Sequence, residues 1–243
     1  MNYRVLAPLK AAAAAPPVLT LVHWFDPTLL SAGAVSDMPN QIGGGPDAVQ
    51  SNVTLQPIAV ALVDTGDGTS ALNGLTFDGV DDRIEVTLAS SVSQFLMMAF
   101  IVPASVAANQ ALIGMTSGGT EAPLLQFGAT SGKINVLLNG TTVVAQAAGT
   151  NMTVGNPFAV GAAYDGTTLR ILHYNGSGAG TSATAGVALT SGNIFYIGGA
   201  PSRTSFNGQM GDVQIYTNWS GSATDLSTNL QSFFNTTFSK YFP

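Results

Sequence analysis

Short apolar segments alternate with polar clusters along most of the chain. From Val18 onward, clusters of Gly, Asn, Asp, Ser and Thr interrupt the apolar runs about every eight to twelve residues, a spacing typical of an all-β sandwich or barrel. This pattern predicts twelve strands, which is enough for two packed sheets. They cover residues 18–24, 72–77, 83–88, 94–102, 111–115, 124–127, 133–138, 142–146, 158–164, 168–174, 193–197 and 211–216.

Two connections between these strands carry hairpin signals. Asn139-Gly140 and Asp165-Gly166 each join two apolar runs, and such pairs favour type I′ turns, which need positive φ at both central residues. The strand 168–174 has apolar residues on both faces, so we expect both faces to be covered. The longest apolar run, 95–102, stops at Pro103 and is far shorter than the roughly 20 residues that span a bilayer. It predicts a buried strand.

The two ends of the chain differ from the strand-rich body. Residues 1–17 contain Arg4 and Lys10, five consecutive alanines and three prolines. Because Pro8 and Lys10 interrupt any apolar h-region, this segment does not resemble a signal peptide. A flexible tail is one interpretation. We favour an extended N-terminal arm held by a neighbouring subunit, ahead of one domain over 18–243. The arm's expected anchoring residues are Tyr3, Arg4, Val5, Leu6 and Leu9.

Near the C-terminus the period changes. Residues 222–238 carry apolar side chains at spacings of three and four, which predicts a helix that caps an open end of the sandwich. The glycine-rich run 176–180 follows a predicted strand, but no helix follows it to present backbone amides to a phosphate. It predicts a long polar loop.

Composition excludes several classes of function. The chain is 46% hydrophobic and only 8% charged, with 7 Lys+Arg, 13 Asp+Glu and a net charge of -6. An average soluble domain has about 25% charged residues. So few basic residues argue against nucleic-acid binding, which depends on Lys and Arg. The absence of cysteine rules out disulfides, thiolate metal sites and a cysteine nucleophile. No segment predicts a membrane partner.

Residues for catalysis are scarce. Glycoside hydrolysis needs a pair of carboxyl groups about 5–10 Å apart, and the chain has two glutamates, Glu85 and Glu121, in no paired motif. His23 and His173 are the two histidines, and His23, beside Trp24 in a predicted strand, fits a hydrogen-bonded structural role. There is no G-x-S-x-G motif. We therefore expect a protein that is not an enzyme and uses no cofactor.

Four segments together indicate a family. Trp24 and Asp26 are followed by P-N-Q-I-G-G at 39–44, by L-T-F-D-G-V-D-D at 75–82 and by F-N-G-Q-M-G-D-V-Q-I-Y at 206–216. This order resembles the concanavalin A-like lectin/glucanase, or laminin-G-like, superfamily, and in particular a jelly-roll subgroup of bacterial and phage surface proteins. Met38 and Ile42 depart from the subgroup's pattern at the first turn. The resemblance implies a two-sheet antiparallel jelly-roll sandwich without the E-x-D-x-x-E motif common in its enzymes.

Two acidic residues in the second of these turns have two interpretations. Asp81 and Asp82 can accept hydrogen bonds from N–H groups of the turn, as Asp commonly does in loops. An acidic cluster can also bind calcium, which takes six to eight oxygen ligands. We favour the first role and keep Asp81 and Asp82 as calcium candidates.

Two functions fit these observations. The first is a non-enzymatic structural protein of a bacteriophage virion, such as a capsid decoration protein, a head fibre or a tail component. It would be made in the host cytoplasm, form a homo-oligomer and dock to the major capsid or another virion protein through the arm. The low charge supports this, because apolar surface is buried between subunits in assemblies. The alternative is a carbohydrate-binding adhesion module, with Tyr174, Asn175, Asn218 and Trp219 as glycan-binding candidates.

Overall fold

The computed structural model is all-β. It describes residues 20–61, 73–117, 120–138, 141–146, 151–176, 179–189, 192–201, 203–217, 237, 238 and 241. The described strands are β1 Thr20–Phe25, β2 Gly33–Ala34, β3 Asp37–Met38, β4 Ala48–Val49, β5 Ile58–Ala61, β6 Asn73–Asp78, β7 Ile84–Val92, β8 Phe95–Pro103, β9 Gln110–Ser117, β10 Thr120–Phe127, β11 Ile134–Leu138, β12 Thr141–Ala145, β13 Phe158–Tyr164, β14 Thr168–Tyr174, β15 Ala179–Ala185, β16 Gly192–Ile197, β17 Thr204–Ser205 and β18 Asn207–Thr217.

The strands form two nine-stranded sheets. The first sheet has the order β15-β14-β13-β8-β18-β6-β5-β2, with β1 also paired to β18. The second sheet has the order β12-β11-β10-β9-β16-β7-β4-β3, with β17 paired to β9. Every pairing is antiparallel except β17 with β9. The predicted two-sheet antiparallel jelly-roll sandwich is confirmed.

Alternate residues of the strands build the core between the sheets. In β8, Phe95, Met97, Ala99 and Ile101 belong to this core, while Leu96, Met98, Phe100 and Val102 belong to a separate apolar cluster that also contains Phe238 and Tyr241. Because successive side chains of a strand point to opposite faces, this second cluster lies on the outer face of the first sheet. The strand predicted from the run 95–102 is therefore buried on both faces, as expected.

All twelve predicted strands are present, with ends shifted by a few residues. The prediction that 168–174 is covered on both faces also holds, because Leu169 and Ile171 join the core and Leu172 and Tyr174 join the outer cluster. Strands β2 to β5 and β17 were not predicted. Four of these five are two residues long, which is too short for an alternation to be visible.

The predicted polar loop at 176–180 is wrong at its C-terminal end. Ala179 and Gly180 begin β15, which pairs with β14 over seven consecutive residue pairs. The alternation that marks a strand is missing there because the sequence A-G-T-S-A-T-A contains no large apolar residue. Pairing to β14 therefore determines this strand, and its own side chains do not.

The two predicted hairpins connect the expected strands. Leu138 pairs with Thr141 across the Asn139-Gly140 turn, whose own two residues lie outside the described part of the chain. At Asp165-Gly166, Tyr164 pairs with Leu169, which leaves a four-residue loop. Gly166 has φ +100° and Asp165 is not among the residues with positive φ, so this turn is not of type I′.

Predictions for the two ends of the chain are largely outside the described residues. Residues 1–17 are not described, so the arm and its five anchoring residues stay predictions. Of the predicted helix over 222–238, only Thr237 and Phe238 are described, and they do not support a helix of that length. Within the described part of the chain, no helix is long and apolar enough to cross a membrane.

Candidate functional site

The acidic turn after β6 has the geometry expected from its sequence. Phe77 is fully buried and Gly79 has φ +81°, a conformation that glycine adopts without strain. The Asp82 carboxylate accepts a hydrogen bond from the Asp78 N–H (3.0 Å), and Asp78 accepts one from the Val80 N–H (2.7 Å). The described acceptors are therefore Asp78 and Asp82, whereas the sequence had indicated Asp81 and Asp82.

The same turn brings three carboxylates together. Oxygens of Asp78, Asp81 and Asp82 lie within 4.8 Å of one another. Burial, aided by the neighbouring charges of Asp78 and Asp81, raises the pKa of Asp82 to about 6. These oxygens are of the type that calcium prefers, but two of the three carboxylates already bond the turn's own N–H groups. The turn role accounts for their positions, and calcium binding stays a prediction.

His23 has the structural role that the sequence predicted. The Asn40 side-chain oxygen accepts hydrogen bonds from the Trp24 and Ile42 N–H groups (both 3.1 Å), so the amide nitrogen faces His23 Nδ1 at 3.0 Å. Nδ1 must therefore be an acceptor and the ring is neutral. Burial lowers the pKa of His23, in agreement with this arrangement.

Two of the four predicted glycan-binding residues, Tyr174 and Asn175, lie within the described part of the chain. Tyr174 is 1% exposed and belongs to the outer cluster of the first sheet, with its hydroxyl donating to the Gly176 carbonyl (2.5 Å). Its ring therefore offers no exposed platform, which corrects that expectation. Asn175 follows it and is partly buried, while Asn218 and Trp219 lie outside the described residues.

The outer face of the second sheet carries a different set of polar residues. Gln126 lies between the core residues Leu125 and Phe127, and Asn135 lies between the core residues Ile134 and Val136, so both amides point away from the core. The two residues are direct cross-strand partners. Side chains at such positions lie about 5 Å apart at Cβ. A pair of adjacent amides therefore lies on this face.

A second row of residues runs across the same face. Successive cross-strand pairs join Glu85 to Tyr196, Tyr196 to Gly114, Gly114 to Leu124, Leu124 to Leu137 and Leu137 to Thr142. Thr142 also accepts a hydrogen bond from the Asn135 amide (3.1 Å). We call the set of residues in these two rows the amide face; its residues are Glu85, Gly114, Leu124, Gln126, Asn135, Leu137, Thr142 and Tyr196. Thr142 is exposed and Glu85 is partly exposed, and the other six residues are buried.

Two acceptors on the amide face have no hydrogen-bond partner in the described structure. Gln126 is 2% exposed and Asn135 is 7% exposed, and Oε1 of Gln126 and Oδ1 of Asn135 are both unpaired. Burying such groups without a partner costs about 1–3 kcal/mol each. The Gln126 nitrogen does have a partner, since it donates to Asn109 Oδ1 (3.3 Å). The amide face therefore retains hydrogen-bonding capacity that the described residues do not use.

Sequence reasoning missed this face. Gln126 and Asn135 each interrupt a predicted strand with a single polar residue, and such a residue is normally assigned to the solvent side. The sequence signal was present, as L-L-Q-F and I-N-V, but it does not reveal that the two strands are neighbours in register or that both amides are buried.

Glu85 is the carboxylate of the amide face, and the side chain of the other glutamate, Glu121, lies outside the described part of the structure. Glu85 forms an ion pair with Arg83 (Nε to Oε1, 3.2 Å), and both side chains are partly exposed. Among the described residues of the amide face, Glu85 is the single carboxylate. The described side chains of this face supply hydrogen-bonding groups beside buried apolar residues.

Comparison with known proteins identifies the superfamily to which the fold belongs. The family model of the concanavalin A-like lectin/glucanases superfamily matches residues 78–222, more than half of the chain. No curated protein matches the chain significantly in sequence.

Solved structures similar to this chain include domains of carbohydrate-active proteins. Domain 4 of AbnA, an extracellular arabinanase from Geobacillus stearothermophilus solved with arabinotriose, is 11% identical with a TM-score of 0.61, covering 86% of this chain and 98% of that domain. Trypanosoma rangeli sialidase with sialic acid is 16% identical with a TM-score of 0.57, covering 91% of this chain and 36% of the sialidase. The enzymatically active domain of tailspike protein 2 of bacteriophage CBA120 is 14% identical with a TM-score of 0.53, covering 79% of this chain and 31% of the tailspike chain.

At these identities the structural similarity establishes the fold alone. The family match, the order of the sequence motifs and the two-sheet jelly roll agree with one another, and this chain belongs to the concanavalin A-like lectin/glucanases superfamily.

Proposed function

We propose that the protein is a non-enzymatic carbohydrate-binding domain that binds glycans on its amide face. The observation that carries the proposal is the pair of buried, unpartnered acceptors, Gln126 Oε1 and Asn135 Oδ1, on one outer face. Sugars present dense hydroxyl groups, and amide side chains are suitable partners for them. A bound sugar would supply the missing donors.

The rest of the amide face supports this choice. Leu124 and Leu137 lie beside the two amides and form a small apolar cluster with Ala111 and Ala200. Tyr196 and Glu85 extend the row toward the opposite side of the sheet. Binding sites for small ligands commonly combine apolar contact area with a few fixed polar groups, and this face has both.

The outer face of the first sheet is less suitable. Its residues in β8, β13 and β14 form a buried apolar cluster that also contains Phe238 and Tyr241. The ring of Tyr241 stacks on Phe100 with a centroid distance of 3.9 Å. The outer face of the first sheet also has unpartnered polar atoms, Thr76 Oγ1 and Arg170 Nε, but these two residues are not cross-strand partners, whereas Gln126 and Asn135 are.

A binding experiment tests the proposal. We expect the wild-type chain to bind at least one class of oligosaccharide on a glycan array, with arabino-oligosaccharides among the first ligands to examine. The double variant Gln126→Leu/Asn135→Leu should weaken binding at least tenfold by calorimetry, since each lost hydrogen bond to a ligand costs about 1 kcal/mol or more. It should remain folded, because leucine is of similar size and removes two buried unpartnered oxygens. The two hydrogen bonds lost with them end on the exposed residues Asn109 and Thr142.

The matched control removes an unsatisfied polar atom from the other sheet. Thr76 Oγ1 in β6 is buried and unpartnered in the described structure, so Thr76→Val should leave glycan binding unchanged. The proposal fails if the wild-type chain binds no glycan, or if the double variant binds as tightly as the control.

A second function is favoured by composition. With 20 charged residues in 243, the chain is suited to an assembly in which neighbours bury apolar surface. We propose a bacteriophage virion as the setting, with the domain displayed as a structural component and Met1–Pro17 docking it to the capsid or another virion protein. A glycan-binding face and a virion location are compatible.

Light scattering tests this setting. The full chain, with and without isolated phage shells, is compared with a chain that begins at Val18. Coating of the shells by the full chain but not by the shorter one would support the arm as an anchor. Equal behaviour of the two chains would contradict it.

A further inference from the structure

A cavity of about 360 Å³ lies at one end of the sandwich, where β1 begins and β7 and β18 end. Its described walls include Leu21 and His23 of β1, Leu88 and Val92 of β7, and the loop 42–46. We call it the end pocket. Sites for small organic ligands usually have volumes of about 300–1,000 Å³, so the end pocket suits a small ligand. Its described residues are all different from those of the amide face.

Most of the described walls are apolar. Leu88 and Val92 belong to the core between the sheets, and Leu21 packs against the outer cluster of the first sheet. Gly43 and Gly44 have open space where a Cβ would lie, so the loop places no side chain in that space. An apolar ligand gains free energy when it displaces water from such walls.

His23 supplies one hydrogen-bond donor to the end pocket. Its ring stacks on Phe25 with a centroid distance of 6.0 Å, and Nδ1 accepts a hydrogen bond from the Asn40 amide nitrogen (3.0 Å). The proton of the neutral ring is therefore on Nε2. Nε2 has no acceptor among the described residues, and it is not one of the described polar atoms that are both buried and unpartnered. It is therefore accessible, in a ring whose orientation and tautomer are fixed.

The charges around this donor favour an uncharged ligand. Burial lowers the pKa of His23, so the imidazole offers a donor without a positive charge. The residue that follows the loop is Asp47, whose carboxylate accepts a hydrogen bond from the Asn40 N–H (2.9 Å). A negative charge beside the loop repels a carboxylate or phosphate ligand. A carbonyl or ether oxygen is the acceptor that fits.

We propose that the end pocket binds a small, uncharged, largely apolar molecule whose carbonyl or ether oxygen accepts a hydrogen bond from His23 Nε2. The apolar part of the ligand would lie against Leu88 and Val92, at the end of the core. Because a ligand of this size has few atoms, we expect a dissociation constant between micromolar and millimolar.

NMR titration of the full chain with two probes of similar shape tests the proposal. Acetophenone has a carbonyl oxygen where isopropylbenzene has a methyl group. We expect acetophenone to shift the ring resonances of His23. The variant His23→Phe keeps an aromatic ring against Phe25 and should weaken acetophenone binding about fivefold or more, because it removes the donor. Isopropylbenzene makes no hydrogen bond, so its affinity should stay nearly the same.

Two further variants complete the test. Val92→Phe adds volume to the end pocket and should weaken both probes. His173→Phe, which replaces the other buried histidine, lies outside the described walls of the pocket and is the matched control; it should bind both probes as the wild-type chain does.

Three results would overturn the proposal. The first is that acetophenone at millimolar concentration leaves the His23 resonances of the wild-type chain unchanged. The second is that a folded His23→Phe chain loses no affinity for acetophenone, or loses as much for isopropylbenzene. The third is that Val92→Phe binds acetophenone as tightly as the wild-type chain, which decides the matter even if His23→Phe does not fold.

Discussion

At the scale of single residues, a buried carboxylate connects three distant segments. Asp212 in β18 accepts hydrogen bonds from Trp24 Nε1 (3.0 Å) and from the Tyr241 hydroxyl (2.8 Å), and its own N–H donates to that hydroxyl (3.0 Å). Burial, together with the charge of Asp212, raises the pKa of Tyr241, so the phenol stays protonated and able to donate. Trp24 and Asp212, which lie in the family motifs, thus connect β1 to β18, and Tyr241 connects the C-terminal segment to the same strand.

We predict that Tyr241→Phe destabilises the protein by about 2–3 kcal/mol, because it removes both a donor and an acceptor from buried Asp212. Tyr164→Phe provides the comparison: that hydroxyl makes one bond, to the Val187 carbonyl (2.7 Å), and its loss should cost about 1 kcal/mol. Urea unfolding measures both values. Equal losses of unfolding free energy in the two variants would show that the contacts of Tyr241 with Asp212 contribute little to stability.

At the scale of elements, two turns contain glycines with positive φ, and these positions restrict which residues can replace them. Gly198 follows β16 and has φ +76°. A Cβ at this position would lie 1.9 Å from Cε1 of the buried Phe77 ring. Gly155 has nearly the same backbone conformation, φ +78°, but open space around it. The two positions therefore separate backbone strain from steric overlap.

We predict that Gly155→Ala costs about 1 kcal/mol, from the positive φ alone. Gly198→Ala should cost about 2–4 kcal/mol, since displacement of the Phe77 ring adds an overpacking penalty. Thermal and urea unfolding of the two variants check this order. If Gly155→Ala lowered the free energy of unfolding as much as Gly198→Ala does, overlap with Phe77 would not account for the loss at Gly198.

At the scale of the whole molecule, stability as a function of pH is the sum of opposing titrations. Burial lowers the pKa of His23 and of His173, so the unfolded chain binds their protons more strongly and stability falls as the pH drops below about 6.5. Asp82 acts in the other direction. Burial raises its pKa to about 6, so the folded chain holds its proton, and that stabilisation is lost as the pH rises from about 4 to about 6.

We predict that Asp82→Asn gains stability relative to the wild-type chain as the pH rises from about 4 to about 6, with a constant difference above pH 6. Asparagine keeps an acceptor for the Asp78 N–H. Urea unfolding at a series of pH values measures the difference, with Asp37→Asn, an exposed carboxylate in β3, as the control. Parallel curves for Asp82→Asn and the wild-type chain would contradict the prediction.

The sequence by itself determined the fold class and most of the strands. Alternating apolar residues, as in 158–164 and 168–174, reflect burial on a sheet, and burial is a local property of each strand. The same holds for the turn at Phe77–Asp82, where aromatic, glycine and carboxylate act within six residues. Family membership followed from the order of such local motifs.

Only the tertiary structure decided where the candidate site lies. Gln126 and Asn135 are nine residues apart in the chain, and the row from Glu85 to Thr142 draws on six strands, so register between strands creates the amide face. Tyr174 showed the converse, because an aromatic that looked like a binding platform is covered by its own sheet's outer cluster. Strand β15, too, depends on its partner, since its small side chains carry no hydrophobic pattern and pairing with β14 supplies the free energy that orders it.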